Sequence, residues 1–207
     1  MNRNFLALDL EMNTSEDTDM PGKIIQVGVA IGNFSAYLEK QNFVEKSWYV
    51  NPHENIHPRI TELTGINDEI VKSQGVDISE VYKDINTLMQ TYDCYVNPVV
   101  WGSGDVEKLK SEVLSQYGSF RIFGHREIDT KTIFTFYQLC KGRKTNSSLS
   151  TALSSQKLRF VGTPHRAVDD ARNTLILFFE MIKNQKLIFD NVQELYRAIE
   201  KYTICNL

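Results

Sequence analysis

The chain has no apolar run approaching the ~18 residues that a membrane-spanning helix needs. Its Met-Asn-Arg-Asn start leads into a strand-like segment, without the apolar stretch of a signal peptide. A soluble, cytoplasmic protein with no membrane partner is expected. Cysteine is scarce: Cys94, Cys140 and Cys205 are widely spaced, odd in number and form no Cys-x-x-Cys pair. That excludes a disulfide framework and a zinc knuckle, and buried, reduced thiols are expected. There is no internal repeat or low-complexity tract. A basic excess is also lacking, with 23 Lys and Arg against 26 Asp and Glu and a net charge of −3. For the chain as a whole this argues against extensive phosphate contact.

What is present is enough for one core: 207 residues, 42% hydrophobic and 11% aromatic, read as one domain over 1–207. The charge is unevenly spread. Arg121 to Arg166 holds nine basic residues against Glu127 and Asp129, a local +7 that leaves −10 elsewhere. A basic late part beside an acidic early part suits a phosphate-binding rim around carboxylates whose charge metal ions cancel, or simply a set of solvated loops.

Residues 5–12 read as a strand, residues 13–22 as an acidic loop, 23–31 as a second strand and 43–50 as a third, together a meander. A short helix follows Pro58 and stops at Gly65, and the spacing predicts an amphipathic helix over 78–92. Further on come a buried strand at 96–101, a helix at 105–117, a short strand at 120–123, an aromatic-rich helix at 130–140 and a basic loop at 141–148. The last core helix is expected over 166–183, with a separate C-terminal helix at about 191–202 packed outside it. Three antiparallel strands followed by alternating helices and strands give an α/β fold, a mixed sheet with helical cover.

In Leu8-Asp9-Leu10-Glu11-Met12 the strand period of two puts Asp9 and Glu11 on one face. Adjacent carboxylates on so apolar a strand are costly to bury unless a divalent cation holds them. The alternative is an edge strand with an ordinary polar face. In Val99-Val-Trp-Gly-Ser-Gly-Asp105 a buried strand ends in small residues and delivers an acid to a helix start, where an aspartate also serves simply to stabilise the helix. In Pro164-His165-Arg166-Ala-Val-Asp169-Asp170 a histidine on the approach to a helix can converge with a carboxylate one turn in.

Taken in order, these segments resemble the DEDDh exonucleases, which include the proofreading subunits of bacterial DNA polymerases, oligoribonuclease-like enzymes and RNase T. The Asp-x-Glu strand matches Asp9 and Glu11, the second motif Asp105, and the third His165 with Asp170 five residues on. The Ile-Ile-Gln-Val-Gly strand at 24–28 and the Leu-Thr-Gly-Ile turn at 63–66 are similar as well, so the likeness spans about 5–185. Trp101-Gly-Ser-Gly-Asp105 departs from the commoner His-Asn-Ala-x-Phe-Asp and is closer to RNA-trimming and phage-like branches.

The resemblance implies a ribonuclease-H-like sheet of five strands, three antiparallel and then parallel, covered on both faces. It implies 3′-to-5′ hydrolysis with two Mg2+ or Mn2+ ions, roughly 3.5 to 4 Å apart on one phosphodiester. Asp9, Glu11, Asp105 and Asp170 would be metal ligands. His165 would be the general base, since an imidazole titrates at about 6.5. Asp169 is the second choice for the last ligand. Single-stranded DNA or RNA 3′ ends are the expected partners and a nucleoside 5′-monophosphate the product, with Met12 and Asn13 against the terminal nucleotide, in a monomer or homodimer.

Two rival readings remain. His53-Glu-Asn-Ile-His57 fits the zinc-protease pattern, but Pro52 and Pro58 flank it and predict a loop rather than the single helical turn that chemistry needs. A nucleic-acid-binding or scaffold protein that kept the fold without turnover is the other.

Overall fold

Alternating side chains from Phe5 to Asn13 form β1, which lies antiparallel to β2 (Lys23–Gly32) with Asp9 opposite Gly28 and Glu11 opposite Gln26. The computed structural model describes residues 3–14 and 22–204, with side chains as far as residue 194. β3 (Val44–Tyr49) continues the antiparallel ladder on β2. On the other side of β1, β4 (Val99–Val100) and β5 (Ile128–Asp129) run parallel, giving the order β3-β2-β1-β4-β5. This is the mixed five-stranded sheet that the sequence predicts, with β1 at its centre.

Each face of β1 has its own cover. Leu6, Leu8 and Leu10 point into a core shared with Val81 and Ile85 of α4 (Ile78–Thr91) and Leu109 and Val113 of α5 (Asp105–Tyr117). Phe5 and Ala7 face the other way, onto Ala171, Leu175 and Phe179 of α8 (Ala167–Ile204). Complete burial of such a side chain contributes about 1.5–3 kcal/mol, so both layers are held by apolar packing alone until the strand reaches its carboxylates. Small elements close the edges: α1 (Phe34–Leu38), α2 (Pro58–Thr64), α3 (Asp68–Gln74), α6 (Thr130–Cys140) and α7 (Leu149–Ser155).

The structure corrects several expectations. The strand expected at 96–101 shrinks to two residues, and 120–123 is not a strand. Ile122 of that segment is an anchor in the first core, while the N–H of Arg121 is met by the Tyr82 hydroxyl at 3.2 Å rather than by a ladder. The fifth strand is instead Ile128–Asp129, tied by the Ile128 N–H to Pro98 O at 2.8 Å. No separate helix begins at 191: α8 runs unbroken through it, because residues 183–191 hold neither glycine nor proline to stop it. Cys94 is a buried free thiol as expected, whereas Cys140 is exposed; Cys205 and most of the expected 13–22 loop lie outside the described residues. No helix among the described residues is long and apolar enough to cross a membrane.

Candidate active site

The site is built where α8 starts against the carboxylate end of β1. A Cβ on Gly28 would lie 2.1 Å from Ala167 C and Val168 N, so the missing side chain is what lets the helix start press onto the sheet beside Asp9. Two residues away on the same face, Gln26 Oε1 accepts the buried N–H of Ala167 at 3.0 Å. One of the orphan donors at the start of the helix is thereby satisfied from β2. Gln26 and Gly28 thus fix where the first turn of α8 stands relative to Asp9 and Glu11. The sequence carried the signal, a lone Gln and a Gly in phase within an apolar strand, but not its meaning.

The neighbouring aspartates of that first turn face different tasks. Asp170 turns to the strand, and oxygens of Asp9, Glu11 and Asp170 lie within 4.8 Å of one another. Its Oδ2 also accepts the backbone N–H of His165 at 2.8 Å. That bond holds His165 in a left-handed conformation at φ 64, uncommon for a residue with a side chain. Asp169 is buried on the opposite side, where it accepts the N–H of Thr163 at 3.0 Å and pairs with Arg172 at 2.7 Å. Arg172 in turn makes a two-point pair with Glu45 of β3. Asp169 therefore braces the loop that presents His165 and does not join the carboxylate cluster.

Asp105 reaches the site from the end of β4, as the first residue of α5. The turn before it depends on Gly104, whose φ of 123 an L side chain rarely adopts. Asp129 steadies this turn from β5, its Oδ1 accepting the N–H groups of Gly102 at 3.0 Å and Lys131 at 2.9 Å. Asp105 lies outside the close group of three, yet it is near enough for its charge to act on Asp9.

The four carboxyls oppose one another's ionisation. Burial first, then repulsion from Asp105, Asp170 and Glu11, holds the Asp9 carboxyl well above the ordinary range. Burial, then Asp170 and Asp105, raises Glu11 to about 7. Asp105 is also raised to about 7, by burial and then by Glu127. Asp170 is raised by burial, against the pull of the His165 N–H and ring. No Lys or Arg is among the groups that perturb Asp9, Glu11 or Asp105. A cluster of hard oxygen donors in that condition fits a divalent cation, whose charge removes both the repulsion and the burial penalty.

Other candidates fall elsewhere. Met12 is half-buried just past the irregularity between Glu11 and Met12 in the β1–β2 ladder. Asn13 is turned inward: its amide donates to Glu54 Oε1 at 2.8 Å and Asn55 O at 3.0 Å, and its oxygen accepts the His57 N–H at 2.8 Å. With its amide so engaged, Asn13 anchors the loop before α2. Residues 51–57 form that loop rather than a helix, so the protease pattern lacks its required turn.

The exonuclease family model RNase T matches residues 6–178, most of the chain. No curated protein sequence matches it. Among solved structures it is similar to the nuclease domain of 3′hExo, a DEDDh family member bound to rAMP, at TM-score 0.74 and 18% identity, covering 88% of this chain and 93% of that one. It is similar to cell-death related nuclease 4 at TM-score 0.73 and 18% identity, covering 88% and 64%. For exonuclease I the values are 0.63 and 16%, with 93% and 43% covered. The chain belongs to the RNase T exonuclease family, the DEDDh nucleases that its ordered carboxylates resemble.

Proposed function

We propose that the protein is a 3′-to-5′ exonuclease that hydrolyses the terminal phosphodiester of single-stranded nucleic acid by a two-metal mechanism and releases nucleoside 5′-monophosphates. The observation that carries this reading is the convergence of Asp9, Glu11 and Asp170 within 4.8 Å, with Asp105 acting on Asp9 from the neighbouring strand end. These four residues would hold Mg2+ or Mn2+, which when bound supplies an activated water and charge stabilisation for the leaving oxygen. The rAMP bound to 3′hExo is a nucleoside monophosphate, the class of product proposed here.

The chain's own residues divide the remaining work. His165, exposed on the rim and fixed through its backbone to Asp170, is the general base that takes a proton from the attacking water. Asp169 and Asp129 hold the two loops on which His165 and Asp105 ride. Met12, next along the strand from Glu11, is placed to meet the terminal base. All nine basic residues between Arg121 and Arg166 are exposed, and none forms an ion pair among the described residues. Lys141 leans on the Tyr137 ring and hydroxyl, and exposed cations of this kind suit the phosphates of an incoming strand.

The test is a 3′-end digestion ladder on matched single-stranded RNA and DNA, with Mg2+ or EDTA, for wild type and Asp9→Ala. Stepwise shortening that needs both metal and Asp9 is expected. An intact ladder from folded protein that still binds oligonucleotide would replace the enzyme with a binding protein of the same fold.

A further inference from the structure

Beside the edge strand β3 lies a cavity of about 920 Å³, within the ~300–1,000 Å³ range of small-molecule sites. One wall is the segment from α1 to β3; the other is the segment between α7 and α8, with Arg172 and Ile176 of α8 itself. None of the four clustered carboxylates is on either wall. Tyr37, Phe43, Leu158 and Ile176 give it a half-buried apolar floor. Both walls are fixed by the chain. The N–H of Lys40 donates to Tyr37 O at 3.1 Å and that of Gln41 to Ala36 O at 2.9 Å. Opposite them the buried Asn173 amide holds Val161 twice, accepting its N–H at 3.0 Å and donating to its carbonyl at 2.8 Å. The cavity is therefore formed before anything enters it.

Its polar groups divide by whether they are already committed. Arg172 and Glu45 neutralise each other in their two-point pair, the Tyr37 hydroxyl donates to Glu180, and the Gln41 amide donates to Glu39 at 2.7 Å. Lys40 and Arg159, one from each wall, are exposed, and their side chains have no partner among the described residues. Two uncommitted cations beside an aromatic floor suit an anion that has a flat apolar part. A bare anion would leave the floor unfilled, and a neutral apolar molecule would leave the cations unused. A nucleotide satisfies both, because a phosphate monoester carries about −1.5 to −2 near pH 7 and aromatic side chains stack bases of any identity.

We propose that this cavity is a second nucleotide site, separate from the carboxylates, which takes a base against Tyr37 and Phe43 and a phosphate at Lys40 and Arg159. The site shares a wall with the loop that presents His165. Arg172 donates to Val161 O at 3.2 Å and to Asp169 at 2.7 Å, and Asp169 accepts the N–H of Thr163, two residues before His165. A nucleotide resting on Val161 and Arg172 therefore steadies that loop. The bearing of this on cleavage, unlike the binding, rests on the nuclease reading.

The test is calorimetric titration of the full chain with AMP in EDTA, where the metal-free carboxylate cluster repels a phosphate and cannot supply the signal. A single site is expected, with a dissociation constant on the order of 100 μM, weakened at least about tenfold in Lys40→Glu/Arg159→Glu and unchanged in Asp9→Ala. Both lysine and arginine positions are exposed, and circular dichroism checks that the double variant folds. Adenosine and inorganic phosphate should each bind at least about tenfold more weakly than AMP. Hydrogen exchange at the Thr163 amide should slow several-fold when AMP is added to wild type, and not in the double variant. A short oligoadenylate distinguishes the sources: displacement of AMP at lower concentration assigns the nucleotide to a strand, and failure to displace it assigns a free mononucleotide, both upholding the site. Absence of AMP binding in EDTA, equal binding of phosphate alone, or binding that survives the double reversal and is lost in Asp9→Ala overturns the proposal. Unchanged exchange at Thr163 on binding overturns the link to the loop. The digestion ladder is read separately with Mg2+, so failure of this site leaves the nuclease reading standing.

Discussion

The two halves of α8 are one continuous helix under opposite constraints. The first half is dictated by what it touches: Ala167, Ala171 and Leu175 are fully buried against the sheet, and Gly28 exists to admit the helix start. In the second half, residues 185 to 194 all face solvent. One half is a positioning device for Asp170 and His165, where a displacement of an ångström disperses the carboxylates. The other is under no such constraint from the domain over residues 185–194. Continuous secondary structure therefore says little about where the energetic and chemical demands of a helix lie.

The most destructive way to break the first half is Gly28→Val. The new Cβ would overlap backbone atoms at 2.1 Å, which cannot rotate away as a side chain could. A destabilisation above about 4 kcal/mol is expected, with loss of cleavage even at temperatures where folded protein remains; thermal unfolding and a digestion ladder read both. Next in size, if Asp170 holds a metal as proposed, Asp170→Asn should cut the cleavage rate on the order of a thousandfold, about 4 kcal/mol, because a charged oxygen is lost while the His165 N–H keeps an acceptor. Asp169→Asn, one residue away, weakens the contacts to Thr163 and Arg172 and should cost about 1–2 kcal/mol of stability with activity reduced by less than about tenfold. Equal loss of rate in the two variants would dissolve the distinction between them.

That distinction was only partly legible in the sequence. Strand alternation pairs Asp9 with Glu11, whereas the choice of Asp170 over Asp169 rests on the motif spacing of the DEDDh exonucleases that the sequence resembles. Asp169 is the second choice for the last ligand from the sequence, and its contacts to Thr163 and Arg172 are ones that no local pattern encodes. The anchoring role of Asn13 has no local signal either, because its partners lie more than forty positions away in the chain. The five-strand sheet was legible in class, but the fifth strand was placed at 120–123, where apolar residues serve as core anchors and β5 itself is only two residues long. Strands that short carry no periodicity to read.

A smaller effect separates the halves by pH. Glu11 and Asp105 are raised to about 7 from ordinary values of 4.5 and 3.8. A folded-state pKa above the unfolded one means that these groups' contribution to stability is fully present below about pH 4 and lost as pH rises through about 7. In EDTA the melting temperature should therefore fall between pH 5 and pH 8, by about 5–10 °C for a loss of a few kcal/mol. Added Mg2+ should recover more at pH 8 than at pH 5, where protons already neutralise the cluster. Scanning calorimetry at the two pH values, with and without metal, decides it; an equal metal effect at both would mean that repulsion among the carboxyls is not what binding relieves.

The smallest expected change comes from the far half and is the most discriminating. Leu187 is 60% exposed on the second half of α8. Leucine and alanine have similar helix propensity, so Leu187→Ala should move stability by less than about 0.5 kcal/mol at any protein concentration. Leu175→Ala, in the buried half, should cost about 2–5 kcal/mol by leaving a cavity against the sheet. A loss in Leu187→Ala as large as that in Leu175→Ala would mean that the second half of α8 is packed as tightly as the first, and the contrast between them would not stand.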